Sequence, residues 1–132
     1  MIIGCGIDIV KIERIEKIIN RWGASFTNRI FTHLERQYCE KKKNGYQSYA
    51  GKFAAKEALL KALGLGLNGV SWKDVEVINY HSGQPFLKLD GKLKKIESEK
   101  KIRNIFLTIS HTNEYAVAQV ILEGKLMDKN KE

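Results

Sequence analysis

Apolar and small or polar positions alternate with period two over residues 2–10, which predicts a strand. Its two faces differ in kind. Ile3, Cys5, Ile7 and Ile9 fall on one, and Gly4, Gly6 and Asp8 on the other. The apolar face is assigned to the core. The glycine face leaves space over the sheet beside Asp8, for a ligand or for another stretch of backbone. Over residues 11–21 the period becomes helical, with Ile12, Ile15, Ile18 and Ile19 as the buried stripe. A second helical stretch runs from about Thr32 to Lys43 and leaves through the basic, loop-like Lys41-Lys42-Lys43-Asn44-Gly45. The main helix follows at about 46–63 and stops at Gly64 and Gly66, which are good C-terminal caps. Alanine and leucine surround this helix. Little of it can face solvent, so it is central to the fold or packed against another subunit.

The second half is rich in strand signals. Val75-Glu76-Val77-Ile78 and Pro85-Phe86-Leu87-Lys88-Leu89 flank a turn at residues 81–84. A short basic helix is expected over 91–101. Residues 105–110 and 115–122 then form a hairpin around His111-Thr112-Asn113-Glu114. The elements follow no βαβ rhythm and show no internal repeat. The pattern therefore predicts an α+β fold, an antiparallel sheet packed against the long central helix. One domain is expected over residues 1–124, with 125–132 as a polar tail.

Composition narrows the class. The 132 residues are 43% hydrophobic and 29% charged, which is ordinary for a globular chain. With 23 basic and 15 acidic side chains, the net charge of +8 favours anionic partners. Cys5 and Cys39 have no paired spacing and read as free thiols of a reducing compartment. The apolar start is too short to span a membrane, is broken by Asp8, and lacks the basic region of a signal peptide. The expectation is a soluble cytoplasmic protein with no membrane partner.

The chemistry concentrates in few places. Asp8 and Glu57 each sit among small or apolar neighbours, where a carboxylate is costly unless a positive charge meets it. If the two meet, they can hold one Mg²⁺ that completes its shell with phosphate oxygens and water. Glu57 and Lys61 have i, i+4 spacing, which suits a structural ion pair. Lys61 could equally reach the same phosphates. Arg14, Lys17 and Arg21 line one helix face, either a solvated face with a Glu13–Lys17 pair or a docking surface for an acidic partner. His111 stands at a strand end, where a structural hydrogen-bonding role and a functional one are both open. His33 and His81 are read as surface or turn residues. No zinc spacing, catalytic triad order or nucleotide-binding glycine loop is present. Gly64-Leu65-Gly66-Leu67-Asn68-Gly69 follows a helix rather than opening one, so it is weak as a phosphate cradle.

Four segments carry a resemblance. Gly6-Ile7-Asp8-Ile9-Val10, Phe53-Ala54-Ala55-Lys56-Glu57-Ala58, Ser82-Gly83-Gln84-Pro85, and Ile109-Ser110-His111-Thr112 before Ala116-Val117-Ala118-Gln119-Val120 stand in order and at family spacing. Together they resemble the bacterial holo-acyl-carrier-protein synthases, the small class of 4′-phosphopantetheinyl transferases. The resemblance implies Mg²⁺-dependent transfer of the phosphopantetheine arm from coenzyme A to a serine of apo-acyl carrier protein, in support of fatty acid biosynthesis. It implies release of adenosine 3′,5′-bisphosphate and a homotrimer with sites at the subunit interfaces. By position, Asp8 and Glu57 are implied as metal ligands and Lys61 as the group that neutralises or protonates the departing phosphate. Glu57, directly or through a metal-bound water, is implied to take the serine proton. Coenzyme A binding is implied for Lys42, Lys43, Lys52, Lys61, Gly83, Pro85, His111 and Thr112. Arg14, Ile18 and Arg21 match the carrier-docking helix. Lys52 stands where many relatives carry arginine, which keeps the charge and loses bidentate recognition.

Two other classes fit parts of the pattern. A small basic nucleic-acid-binding domain suits the charge and the lysines at 92–101, but has no recognisable motif and gives Asp8 and Glu57 no task. A purely structural oligomeric module leaves the same acids without a cation.

Overall fold

Helix α4 (Gly45–Leu63) lies across a three-stranded antiparallel sheet built from β1 (Ile2–Lys11), β5 (Tyr115–Gly124) and β4 (Ile102–His111), in that order. The computed structural model describes residues 1–66 and 69–125. The tail beyond Lys125 and part of the glycine-rich segment after α4 lie outside the described residues. Between β1 and α4 come α1 (Ile12–Trp22), α2 (Ala24–Ile30) and α3 (His33–Glu40). After α4, a short turn of 3₁₀ helix (Trp72–Asp74) leads into a separate antiparallel hairpin, β2 (Val75–Asn79) and β3 (Pro85–Leu89). Helix α5 (Gly91–Glu99) then returns the chain to β4. The α+β class and the antiparallel pairing match the expectation from sequence. Among the described residues, no helix is long and apolar enough to cross a membrane.

The ends of α4 follow local rules. Asn44 accepts a hydrogen bond from Gln47 N at the start, and Gly64 closes the helix in the left-handed region at φ 70°. Lys61 is the one α4 residue that stands out into solvent; the rest are buried or partly buried. The buried Ala54, Ala58 and Leu59 share one core with Ala116, Ala118, Val120 and Leu122 of β5, on which α4 packs.

Strand β1 corrects one expectation. Its glycine face points into the protein, and the apolar face points out: Ile7 and Ile9 are 57% and 64% exposed. The reason is the closeness of α4. A Cβ on Gly6 would collide with the Ala58 carbonyl and come within 2.7 Å of Ala62 N, and one on Gly4 would meet the Ala62 carbonyl. Backbone approach of this kind excludes side chains. The space anticipated over the glycines is filled by a helix. On the same outer face, Val117 of β5 stands opposite Ile9, Gln119 opposite Ile7, and Ile121 opposite both Cys5 and Phe106 of β4.

Helix α2 has no counterpart in the sequence reading. It is a single short element without a side-chain cap, set off from α1 by Gly23 at φ 54°. Helix α3 begins instead with a full capping box, Thr32 with Glu35. Glu35 does more than cap. Its carboxylate also accepts from Val77 N at 2.8 Å and pairs with Lys56 Nζ at 2.7 Å.

Candidate active site

Two acids from distant parts of the chain converge beside β1. Asp8 is the one side chain on the inward face of β1 that carries charge, opposite Ala118 in the register with β5. Glu57 comes from the middle of α4. Both line one groove of about 490 Å³, together with Arg14, Ile18, Phe26, Phe53 and Tyr115. Burial raises the proton affinity of Glu57, and the negative charge of Asp8 raises it further, against the opposing effect of Lys61.

Lys61 does not form the i, i+4 pair with Glu57 that its spacing allows. Its ammonium donates to Asp8 Oδ1 at 2.9 Å and to the Ile7 carbonyl at 3.1 Å. The cation therefore bridges α4 to β1. Its side chain is half exposed, so it can move without disturbing the core.

Among the described residues there is no cluster of three or more His, Cys, Asp or Glu that could hold a metal. Two carboxylates alone are a poor site for zinc. They suit Mg²⁺, which is commonly held by one or two carboxylates and keeps its other positions for water and phosphate. Asp8 and Glu57, hard oxygen donors with one repelling the other, fit that ion.

The residues assigned to coenzyme A divide between places. Lys52, Gly83, Pro85 and His111 line a second cavity of about 180 Å³, with Tyr38, Gln47, Ser48, Gly51, Asn79 and Ile109. This cavity shares no lining residue with the carboxylate groove. Lys61 lines neither cavity, but its ammonium reaches Asp8 of the groove. Lys42 lies over the Tyr38 ring, 4.7 Å from its centroid. Lys43 is exposed on the turn before α4. Thr112 has its hydroxyl engaged in the hairpin turn, accepting from Glu114 N and Tyr115 N, while its carbonyl accepts from Gln47 Nε2 at 3.3 Å.

On α1, Arg14 and Ile18 line the carboxylate groove. Arg21 stacks over the ring of the exposed Trp22 at 5.1 Å. Glu13 and Lys17 do pair, at 2.9 Å on an exposed surface. That contact is worth little.

Sequence reasoning missed Tyr38 and Asn79, and it missed how deeply Lys52 and Lys56 are buried. The Tyr38–Lys42 spacing, one helical turn, was the available signal for the first. Nothing local distinguishes Asn79 or the burial of the two lysines.

The fold and this geometry have known counterparts. A sequence profile of the 4′-phosphopantetheinyl transferase superfamily matches residues 4–120. A holo-[acyl-carrier-protein] synthase of Geobacter sulfurreducens is 47% identical, over 93% of this chain and 98% of its own length. One from Halothermothrix orenii is 42% identical over 93% and 98%. Among crystal structures, the Bacillus anthracis synthase in complex with CoA (3′,5′-ADP) superimposes with TM-score 0.76 at 40% identity, over 95% of this chain and 99% of that one. The Neisseria meningitidis synthase gives TM-score 0.86 at 32% identity, over 93% and 99%. With identity and coverage at this level from end to end, the chain belongs to the holo-[acyl-carrier-protein] synthases of the 4′-phosphopantetheinyl transferase superfamily.

Proposed function

We propose that this enzyme moves the 4′-phosphopantetheine arm of coenzyme A onto a serine of apo-acyl carrier protein, with Mg²⁺ as cofactor and adenosine 3′,5′-bisphosphate as the second product. The observation that carries the reading is the single groove in which Asp8 and Glu57 meet Arg14 and Ile18. An acidic carrier seated on α1 would deliver its serine to the acid pair.

In the reaction, the serine oxygen forms a bond to the phosphorus that bears pantetheine, and the bridging bond of the diphosphate breaks. Glu57 accepts the serine proton, directly or through a water. Lys61, freed from Asp8, offsets the charge that builds on the departing bisphosphate. Asp8 and Glu57 would hold Mg²⁺, which when bound would supply charge neutralisation at the diphosphate. Catalysis then rests on positioning and electrostatics, as in other phosphoryl transfers.

Coenzyme A would lie along the second cavity, with Lys52, Gly83, Pro85 and His111. Helicobacter pylori and Bacillus anthracis synthases are described in complex with coenzyme A, which supports that ligand here. We read the working form as a homotrimer. Two observations support it: the acids and the coenzyme residues line separate cavities of one chain, and Ile7, Ile9 and Phe106 expose apolar surface on the outer sheet face. Contact between copies would cover that face and let one chain's acids work on coenzyme held by its neighbour. The remaining parts of the reading are a single domain over residues 1–124, a cytoplasmic location and a role in fatty acid biosynthesis.

The test is intact-mass spectrometry of apo-acyl carrier protein incubated with the enzyme, coenzyme A and Mg²⁺, with an EDTA control. A gain of one phosphopantetheine that disappears with EDTA is expected. A gain that persists in metal-free Asp8→Ala enzyme would overturn the mechanism.

A further inference from the structure

Lys52 and Lys56 stand one turn apart on α4, and both are buried, at 3% and 0% exposure. Both ammonium groups dock on carbonyls of β2, Val77 O at 3.0 Å and Val75 O at 2.7 Å. They differ in what balances their charge. Lys56 has the Glu35 carboxylate at 2.7 Å. Lys52 has no carboxylate within ion-pair distance among the described residues. Its other partners are neutral: Asn79 Oδ1 at 2.7 Å and the Tyr38 ring, 4.4 Å from the centroid. A buried cation on neutral partners is unfavourable, and burial lowers its proton affinity. The cavity beside it is open on the same side, so an anion entering there would supply the missing charge.

The neighbours of Lys52 are themselves held. Asn79 Nδ2 donates to the Gly83 carbonyl at 3.0 Å, which fixes the amide with its oxygen toward Lys52. Tyr38 carries a second cation, Lys42, over the same ring. An aromatic ring attracts ammonium groups within about 6 Å of its centroid and partly offsets their mutual repulsion. The ring thus joins a lysine of α4 to one from the turn after α3, at the wall of one cavity.

We propose that Tyr38 and Asn79 are positioning residues for the coenzyme: the ring gathers Lys42 and Lys52 at the cavity, and the amide aims the Lys52 ammonium at an anionic phosphate of the ligand. The inference rests on the coenzyme A reading of this cavity. A neutral amide at position 79 matters because it orients Lys52 without cancelling its charge.

Calorimetric titration with coenzyme A, alongside thermal unfolding, tests this in the full-length enzyme. Tyr38→Phe keeps the ring and should bind like the parent. Tyr38→Leu should bind about tenfold more weakly, with the loss appearing in KM for coenzyme A and not in KM for the carrier protein. Asn79→Asp gives Lys52 the carboxylate it lacks. It should keep or raise the unfolding midpoint while weakening coenzyme A binding by about tenfold or more. A purely structural role predicts the opposite pairing, lost stability with unchanged affinity. Parent-like coenzyme affinity in both Tyr38→Leu and Asn79→Asp would overturn the proposal. If the parent itself takes up no coenzyme A, the reading of the cavity falls first and the inference with it.

Discussion

The ammonium of Lys61 lies 2.9 Å from Asp8 Oδ1, on the neighbouring strand, although Glu57 is one turn away on its own helix. Under the proposed mechanism Asp8 has two claimants, this lysine and Mg²⁺. Removing the lysine should separate its two effects. Lys61→Met is expected to bind Mg²⁺ a few-fold more tightly, since an exposed pair is worth only about 0.2–1 kcal/mol. The same variant should transfer phosphopantetheine at least about a hundredfold more slowly. Metal titration and kcat measured on one preparation check both, and unchanged transfer would remove Lys61 from the chemistry.

Glu57 makes a prediction about pH. A carboxyl that holds its proton more tightly in the folded chain favours folding at low pH. That advantage is lost as the pH rises above 4.5 through the raised folded value. Glu57→Gln removes the ionisation. In metal-free buffer its urea midpoint should match the parent below pH 4.5 and move ahead of it toward neutrality. Saturating Mg²⁺ should reverse the order at neutral pH by stabilising only the parent. Parallel pH profiles for the two proteins would argue against the unfavourable charge at Glu57.

The Glu35–Lys56 pair ties α3, α4 and β2 together. Both side chains are wholly shielded from solvent, and Lys56 also donates to the Ile30, Trp72 and Val75 carbonyls. Lys56→Met leaves Glu35 as an uncompensated buried carboxylate and should destabilise the protein by about 3–5 kcal/mol. Urea unfolding gives the value directly. A loss below about 1 kcal/mol would mean that the carboxylate finds another partner or a proton.

Ile9 reports on assembly. In one chain it is 64% exposed, beside Ile7 on the outer face of the sheet. If that face is buried between copies, Ile9→Glu should yield folded monomers by sedimentation equilibrium and abolish transfer. A trimeric Ile9→Glu enzyme would place the interface elsewhere.

Much of this protein could be read from local pattern. The period of its apolar residues located α1, α4, the β2–β3 hairpin and the β4–β5 hairpin, because burial of one face imposes the same period on any sequence that forms such an element. Gly64 marked the end of α4, because a left-handed cap is a choice made within a few residues. Asp8 and Glu57 were visible as acids among small and apolar neighbours. The partners of these elements were not visible. Alternation in β1 defines two faces without saying which one meets a helix, and the inner face proved to be the glycines because α4 backbone comes too close for a Cβ. Likewise, Lys61 chose Asp8, Lys56 found Glu35, and Lys52 came to rest on Tyr38 and Asn79. Those choices join residues far apart in the chain and depend on how its helices and sheet pack, which only the tertiary structure decides.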